Sequence, residues 1–151
     1  KGGAFPSHWL QNFNQMPDNS KVKGVVLLIG INGISRESNY TDTKKLIDLL
    51  SSKYVGKTIY VQKVFPVGKG YNGYSDTAVA NYNKNRIDKF NASIKAHCDT
   101  KSNVKFIDTT SGFVDANGFL INCETDGLHI LDSKNKMFFD NIQTAVISAS
   151  K

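Results

Sequence analysis

The stretch Lys23-Gly24-Val25-Val26-Leu27-Leu28-Ile29-Gly30-Ile31-Asn32-Gly33 decides how this chain folds. From Val25 to Ile29 the residues are apolar without alternation, the pattern of a central strand covered on both faces in a parallel sheet. Glycine then ends the run, so the chain turns at Gly30 and sets Asn32 on the edge where open parallel sheets bind ligands. The run falls far short of the roughly 20 apolar residues a membrane helix requires, and no other run approaches that length. It is also too short to be the core of a signal peptide.

Working outward, Thr41-Asp42-Thr43 offers a cap for a helix whose stripe is Leu46, Ile47, Leu49 and Leu50, running to about Lys53. Thr58 to Val64 is rich in β-branched residues and predicts a second strand, halted by Phe65-Pro66. The loop from Val67 to Asp76 carries Gly68, Gly70 and Gly73, a composition suited to the rim of a binding site. Val79, Tyr82, Ile87, Phe90 and Ile94 keep helical spacing and predict a long helix from about Thr77 to His97. Val104 to Ile107 reads as a short strand, Asp115-Ala116-Asn117-Gly118 as a turn, and Ser133 as the cap of a final helix through Met137, Phe138, Ile142 and Val146. Strands alternating with helices predict a three-layer α/β/α sandwich around a central parallel sheet. Neither a repeat nor a linker interrupts the 151 residues, so one domain is expected. Lys1 to Pro6 begins as if leaving a strand, and a doubly wound sheet calls for another βα unit ahead of it.

Composition narrows the function. The formal charge is +6, but the cations are nearly all lysines scattered among acids, with only Arg36 and Arg86. That is a solvated surface with some attraction for an acidic polymer, not the arginine-rich stripe of a nucleic-acid binder. Cys98 and Cys123 lack metal-ligand spacing, leaving one disulfide or two thiols as the choice. His97 and Cys98 are adjacent on a helix and therefore point different ways, which argues against a Cys-His pair.

Two segments carry chemistry. In Thr125-Asp126-Gly127-Leu128-His129 a carboxylate precedes an imidazole by three residues at the entrance to the last helix, close enough in one turn to fix the tautomer of a general base. In Gly30-Ile31-Asn32-Gly33 the Asn32 amide can supply a donor to a developing oxyanion. Each has a plain alternative, since Asp-Gly and Gly-x-Asn-Gly also make ordinary turns.

In this order the two segments resemble the conserved blocks of the SGNH (GDSL-like) hydrolases, which have a Gly-x-Asn after a central strand and an Asp-x-x-His near the C-terminus. Phe65-Pro66 and the Phe106-Ile107-Asp108 strand end agree with it, so the likeness extends over nearly the whole chain. The resemblance implies one SGNH-type domain over residues 1–151 that lacks its first βα unit. It further implies His129 as general base, Asp126 as its orienting partner and Asn32 as an oxyanion donor. Gly3, which fits better than Gly2, would match the glycine whose backbone N–H joins Asn32. Gly33 departs from the family, which has Asp there. The larger departure is the absence of any Gly-Asp-Ser block, and Phe5-Pro6-Ser7-His8 lacks the strand and turn that would expose Ser7 as a nucleophile. The serine is therefore expected on a separate chain or a cleaved fragment.

The activity implied is hydrolysis of a carboxylic ester without metal or organic cofactor. Trp9, Phe65, Val67 and Leu128 are candidates for the pocket wall, each equally readable as packing surface. The substrate is expected to be a small acyl ester or an O-acetylated carbohydrate, with Tyr71 to Tyr74 favouring a glycan and no lid or amphipathic segment favouring lipid. An extracellular or wall-associated setting follows from the charge and the family's habits. The competing expectations are a non-catalytic domain that binds cell-wall glycans and, last, a flavodoxin-like nucleotide binder, which would need a phosphate-cradling loop not found here.

Overall fold

In the computed structural model, residues 3–150 are described. Helix α1 spans Pro6–Gln11, strand β1 Gly24–Leu27, helix α2 Glu37–Lys53, strand β2 Thr58–Gln62, helix α3 Asp76–Tyr82, helix α4 Lys89–Cys98, strand β3 Val104–Ile107 and helix α5 Asn135–Ala149. The architecture is α/β: a parallel three-stranded sheet flanked by helices. Two compact units divide the chain, one comprising residues 1–64 and 90–107, the other 65–89 and 108–151.

The first unit holds the whole sheet, in the order β1-β2-β3, with Val25 opposite Ile59 and Ile59 opposite Val104. Parallel neighbours need a crossover, and α2 supplies the one between β1 and β2. Along α2, Asn39, Thr43, Leu46, Ile47 and Leu50 recur at helical spacing and are buried. Burying Leu46, Ile47 and Leu50 contributes roughly 1.5–3 kcal/mol each. The helix begins at Glu37, four residues before the expected cap. Thr43 lies inside the buried stripe and the Thr41 hydroxyl bonds back to the Glu37 and Ser38 carbonyls.

β1 departs from expectation more sharply. Among the described residues it lies at the border of the sheet and pairs only with β2, and Val26 and Leu28 are 46% and 45% exposed. The buried central strand is β2, where Ile59 to Gln62 are all covered. An unbroken apolar run reports how much burial a strand is fit for, not how many neighbours it has. Beyond β2, the Asn91 side chain substitutes for a strand neighbour, accepting from Val64 N at 2.8 Å and donating to Val64 O at 2.9 Å. Both backbone groups are thereby satisfied in a buried setting.

The second unit contains α3, a π-helical turn at Asn83–Asp88, several loops and α5. The expected helix over 77–97 is thus three consecutive segments, opened by Ser75, whose hydroxyl accepts from Ala78 N. Asn83 clamps Val67 as Asn91 clamps Val64, with bonds of 2.8 and 2.9 Å to its N–H and carbonyl. Phe65, Phe113 and Phe138 form an aromatic cluster with centroids 5.6 to 6.4 Å apart. Asn141 ties α5 down through Thr109 O and Ser111 O. Ser133 does not cap α5; it lies in a 3-10 turn, Asp132–Lys134, that leads into the helix. The turn at Asp115 forms as expected, with Gly118 N donating to Asp115 O. No described helix is long and apolar enough to cross a membrane.

Candidate active site

Gly3 and Asn32 belong to the first unit, Asp126 and His129 to the second. In the second unit the chain doubles back between Cys123 and Ile130, which form an antiparallel bridge, and Glu124 N donates to His129 O at 2.7 Å. The bend is not the helical turn expected from the spacing. The Asp126 carboxylate shapes it: Oδ1 accepts from Leu128 N at 2.8 Å and His129 N at 3.0 Å, while Oδ2 lies 2.6 Å from His129 Nδ1. An aspartate followed by two free N–H groups builds such a turn by itself.

The electrostatic result is direct. The His129 side chain, then the N–H groups of His129 and Leu128, hold the Asp126 carboxyl down to about 2. A carboxylate can only accept, so the ring proton sits on Nδ1 and the Nε2 lone pair is left to act as a base. The His129 side chain is 74% exposed, open to a reactant.

Gly127 fixes this bend to its surroundings. Its φ is +66°, and a Cβ would stand 2.9 Å from Gly68 O, 3.1 Å from Lys69 O and 3.1 Å from Tyr71 N. Gly68 N donates to Gly127 O at 2.7 Å, and a Cβ on Gly68 would come within 2.6 Å of Leu120 O. The glycine-rich loop is therefore locked by main chain against the Asp126–His129 bend. The sequence signal for this contact is glycine on both sides, legible only as flexibility until the partners are known.

In the first unit the bend after β1 is held by side chains. Gly30 has φ +124°, and a Cβ there would overlap the buried Phe90 ring; Asn39 Nδ2 donates to Gly30 O at 2.6 Å. Asn32 is half-buried and its Nδ2 donates to Ala4 O at 3.3 Å, which brings the amide to the residue next to Gly3. Since Nδ2 carries two hydrogens, one remains for a ligand. Gly3 is exposed with φ +69°, and Gly2 lies outside the described residues. A polar cavity of about 150 Å³ opens beside this segment, lined among others by Ser7, Arg36, Ser38 and Asp42, with the Arg36 guanidinium 5.1 Å from the Phe5 ring centroid.

The remaining candidates take varied places. Trp9 is half-buried on α1, edge-on to His8; Phe65 is in the aromatic cluster; Leu128 is half-buried beside His129. Val67 is fully buried in the core. Ser7 sits in the first turn of α1. His97 turns to Asp48, at 2.8 Å, and both cysteines are free thiols. Burial pushes the Cys98 thiol up to about 11, leaving it protonated at neutral pH and a poor nucleophile.

The chain has the α/β fold of solved GDSL-like hydrolase structures, which superpose on it. No family model matches the sequence, and no curated protein does. A Streptococcus pneumonia protein described as a platelet activating factor is similar at 20% identity and a TM-score of 0.77, over 94% of this chain and 68% of its own. A GDSL-like lipase from Bacteroides thetaiotaomicron is similar at 17% identity and 0.68, over 97% and 71%. The Clostridium thermocellum family 3 carbohydrate esterase gives 21% and 0.66, over 97% and 67%. At these identities it is the fold that is shared, and a fold alone hosts many chemistries.

Proposed function

We propose that this chain provides the acid–base pair and oxyanion donors of a serine-type carboxylic ester hydrolase, with the nucleophilic serine supplied from outside these residues. The observation that carries the reading is the Asp126 carboxylate 2.6 Å from His129 Nδ1 in an otherwise exposed bend. A carboxylate bound this way holds the imidazole in the tautomer a general base requires. The lipase and carbohydrate esterase among the structural neighbours support ester hydrolysis as the reaction class.

In this mechanism His129 Nε2 takes the serine proton as the hydroxyl attacks the ester carbonyl. The tetrahedral oxyanion is met by the Asn32 amide and the Gly3 N–H. Proton return from His129 releases the alcohol, and water hydrolyses the acyl-enzyme under the same base. Asp126 stabilises the imidazolium throughout.

The test uses the protein expressed from its entire gene, with p-nitrophenyl acetate as substrate. His129→Ala is expected to lower kcat by about two orders of magnitude or more. A fluorophosphonate probe should label one serine, located by mass spectrometry. Turnover that is indifferent to His129, or no turnover and no labelling, overturns the reading.

A further inference from the structure

Asparagine stands directly before glycine at three places, Asn32-Gly33, Asn72-Gly73 and Asn117-Gly118. This pair is prone to losing its side-chain amide, because the following backbone nitrogen can attack the side-chain carbonyl and glycine puts no Cβ in the way. The attack needs that nitrogen free of other engagements. At two of the pairs it is engaged: Gly73 N donates to Gly70 O at 2.9 Å and Gly118 N to Asp115 O at 3.0 Å, each closing a turn. The bend that carries His129 is guarded likewise, since Gly127 N, next to Asp126, donates to Glu124 O at 3.0 Å.

Asn32-Gly33 is built differently. Ile34 N donates to Ile31 O at 3.3 Å, so Asn32 and Gly33 are the two central residues of the turn, and Gly33 N has no acceptor among the described residues. The Asn32 amide is held by the 3.3 Å bond from Nδ2 to Ala4 O, a long one. A bulkier second residue is shut out as well: Gly33 has φ +74°, and a Cβ there would stand 2.6 Å from Phe5 Cε1. Packing at this bend therefore demands the residue that leaves Asn32 open to attack. Exposure would rank the pairs the other way, with Asn72 and Asn117 exposed and Asn32 half-buried, but it is the engagement of the glycine nitrogen that separates them.

We infer that Asn32 is a site of spontaneous deamidation, which removes the candidate oxyanion donor from this bend. Gly33 N, its proton lost to solvent base, bonds to Asn32 Cγ; the Cγ–Nδ2 bond breaks, and ammonia leaves with a proton from water. Water then opens either carbonyl of the cyclic imide, leaving aspartate or isoaspartate at position 32. Overall a water is consumed and an ammonia released, with no change of oxidation state. An amide that donates is replaced by a carboxylate that only accepts and repels a developing oxyanion. The chemistry at Asn32 stands by itself, and its effect on turnover rests on the esterase reading.

The experiment ages the whole protein in warm, mildly alkaline buffer and follows two readouts on the same samples. Peptide mapping by mass spectrometry separates asparagine, aspartate and isoaspartate at each pair, and p-nitrophenyl acetate reports turnover. In the folded protein Asn32 is expected to convert faster than Asn72 and Asn117 by at least an order of magnitude. In urea, where the turn bonds are gone, the three should convert at comparable rates. Gly33→Ala combined with Phe5→Leu, which clears room for the methyl, should slow conversion at Asn32 alone. Turnover should fall in step with the converted fraction, and Asn32→Asp should lower kcat by about two orders of magnitude from the outset. Conversion at Asn32 with turnover unchanged, or absent from the start, keeps the modification site and sinks the catalytic role. Asn32 converting no faster than the other two in the folded protein, or its lead persisting in urea, would overturn the inference.

Discussion

Two bends carry the candidate chemistry, and they are held in opposite ways. The bend at Gly30 is wedged by side chains, with the Phe90 ring against its Cα and the Asn39 amide on its carbonyl. The bend at Gly127 is wedged by main chain, with Gly68, Lys69 and Tyr71 contributing only backbone atoms around it. Side chains can be exchanged for smaller ones and backbone cannot, so the two bends differ in whether a wrong residue is correctable.

The largest effect should come from Gly30→Ala. The new methyl overlaps a buried ring at a φ that L residues rarely adopt, and the combined strain and overpacking cost is about 3 kcal/mol. A Tm loss of roughly 10 °C in a calorimetric scan is expected at that cost. Adding Phe90→Leu should recover part of it, and strictly additive losses would show that the ring does not wedge this bend. Gly127→Ala should cost about 2 kcal/mol, measured by urea unfolding, because the left-handed φ and the surrounding carbonyls both oppose a Cβ. Here shrinking neighbouring side chains should bring no recovery; a second-site side-chain rescue would erase the contrast between the bends.

The smallest effect concerns pH. The Asp126 carboxyl is lowered, so whatever stability it lends the bend is complete above the ordinary carboxylate range near 4 and is lost only as pH falls through about 2. NMR titration of the Leu128 and His129 amides should accordingly show a step near 2 and none near 4. An inflection near 4 would mean that the two N–H bonds and the imidazole contact do not persist in solution.

The second bend was the more legible of the two. Asp126 and His129 are three residues apart, and the bonds that join them lie within that span, so local spacing was enough to pair them. Strand β3 was readable to its ends for a similar reason: Val104 to Ile107 has flanking polar residues and a simple pattern. The Gly30 bend depends on a phenylalanine sixty positions away, which no local pattern announces. The start of α2 was misplaced because Arg36 precedes it without a side-chain cap, while the polar Thr41-Asp42-Thr43 imitated one inside the helix. The apolar run of β1 was read correctly as a strand, while among the described residues it pairs with β2 alone and is partly exposed, since neighbours along a sheet are a property of topology rather than of composition.

The last strand of the sheet sets how the molecule behaves in company. Among the described residues β3 lies at the border opposite β1 and places the exposed Lys105 at mid-strand, a charge that discourages a stray strand from joining. Exchanged for an apolar residue, that position would turn a guarded strand into a template for foreign ones.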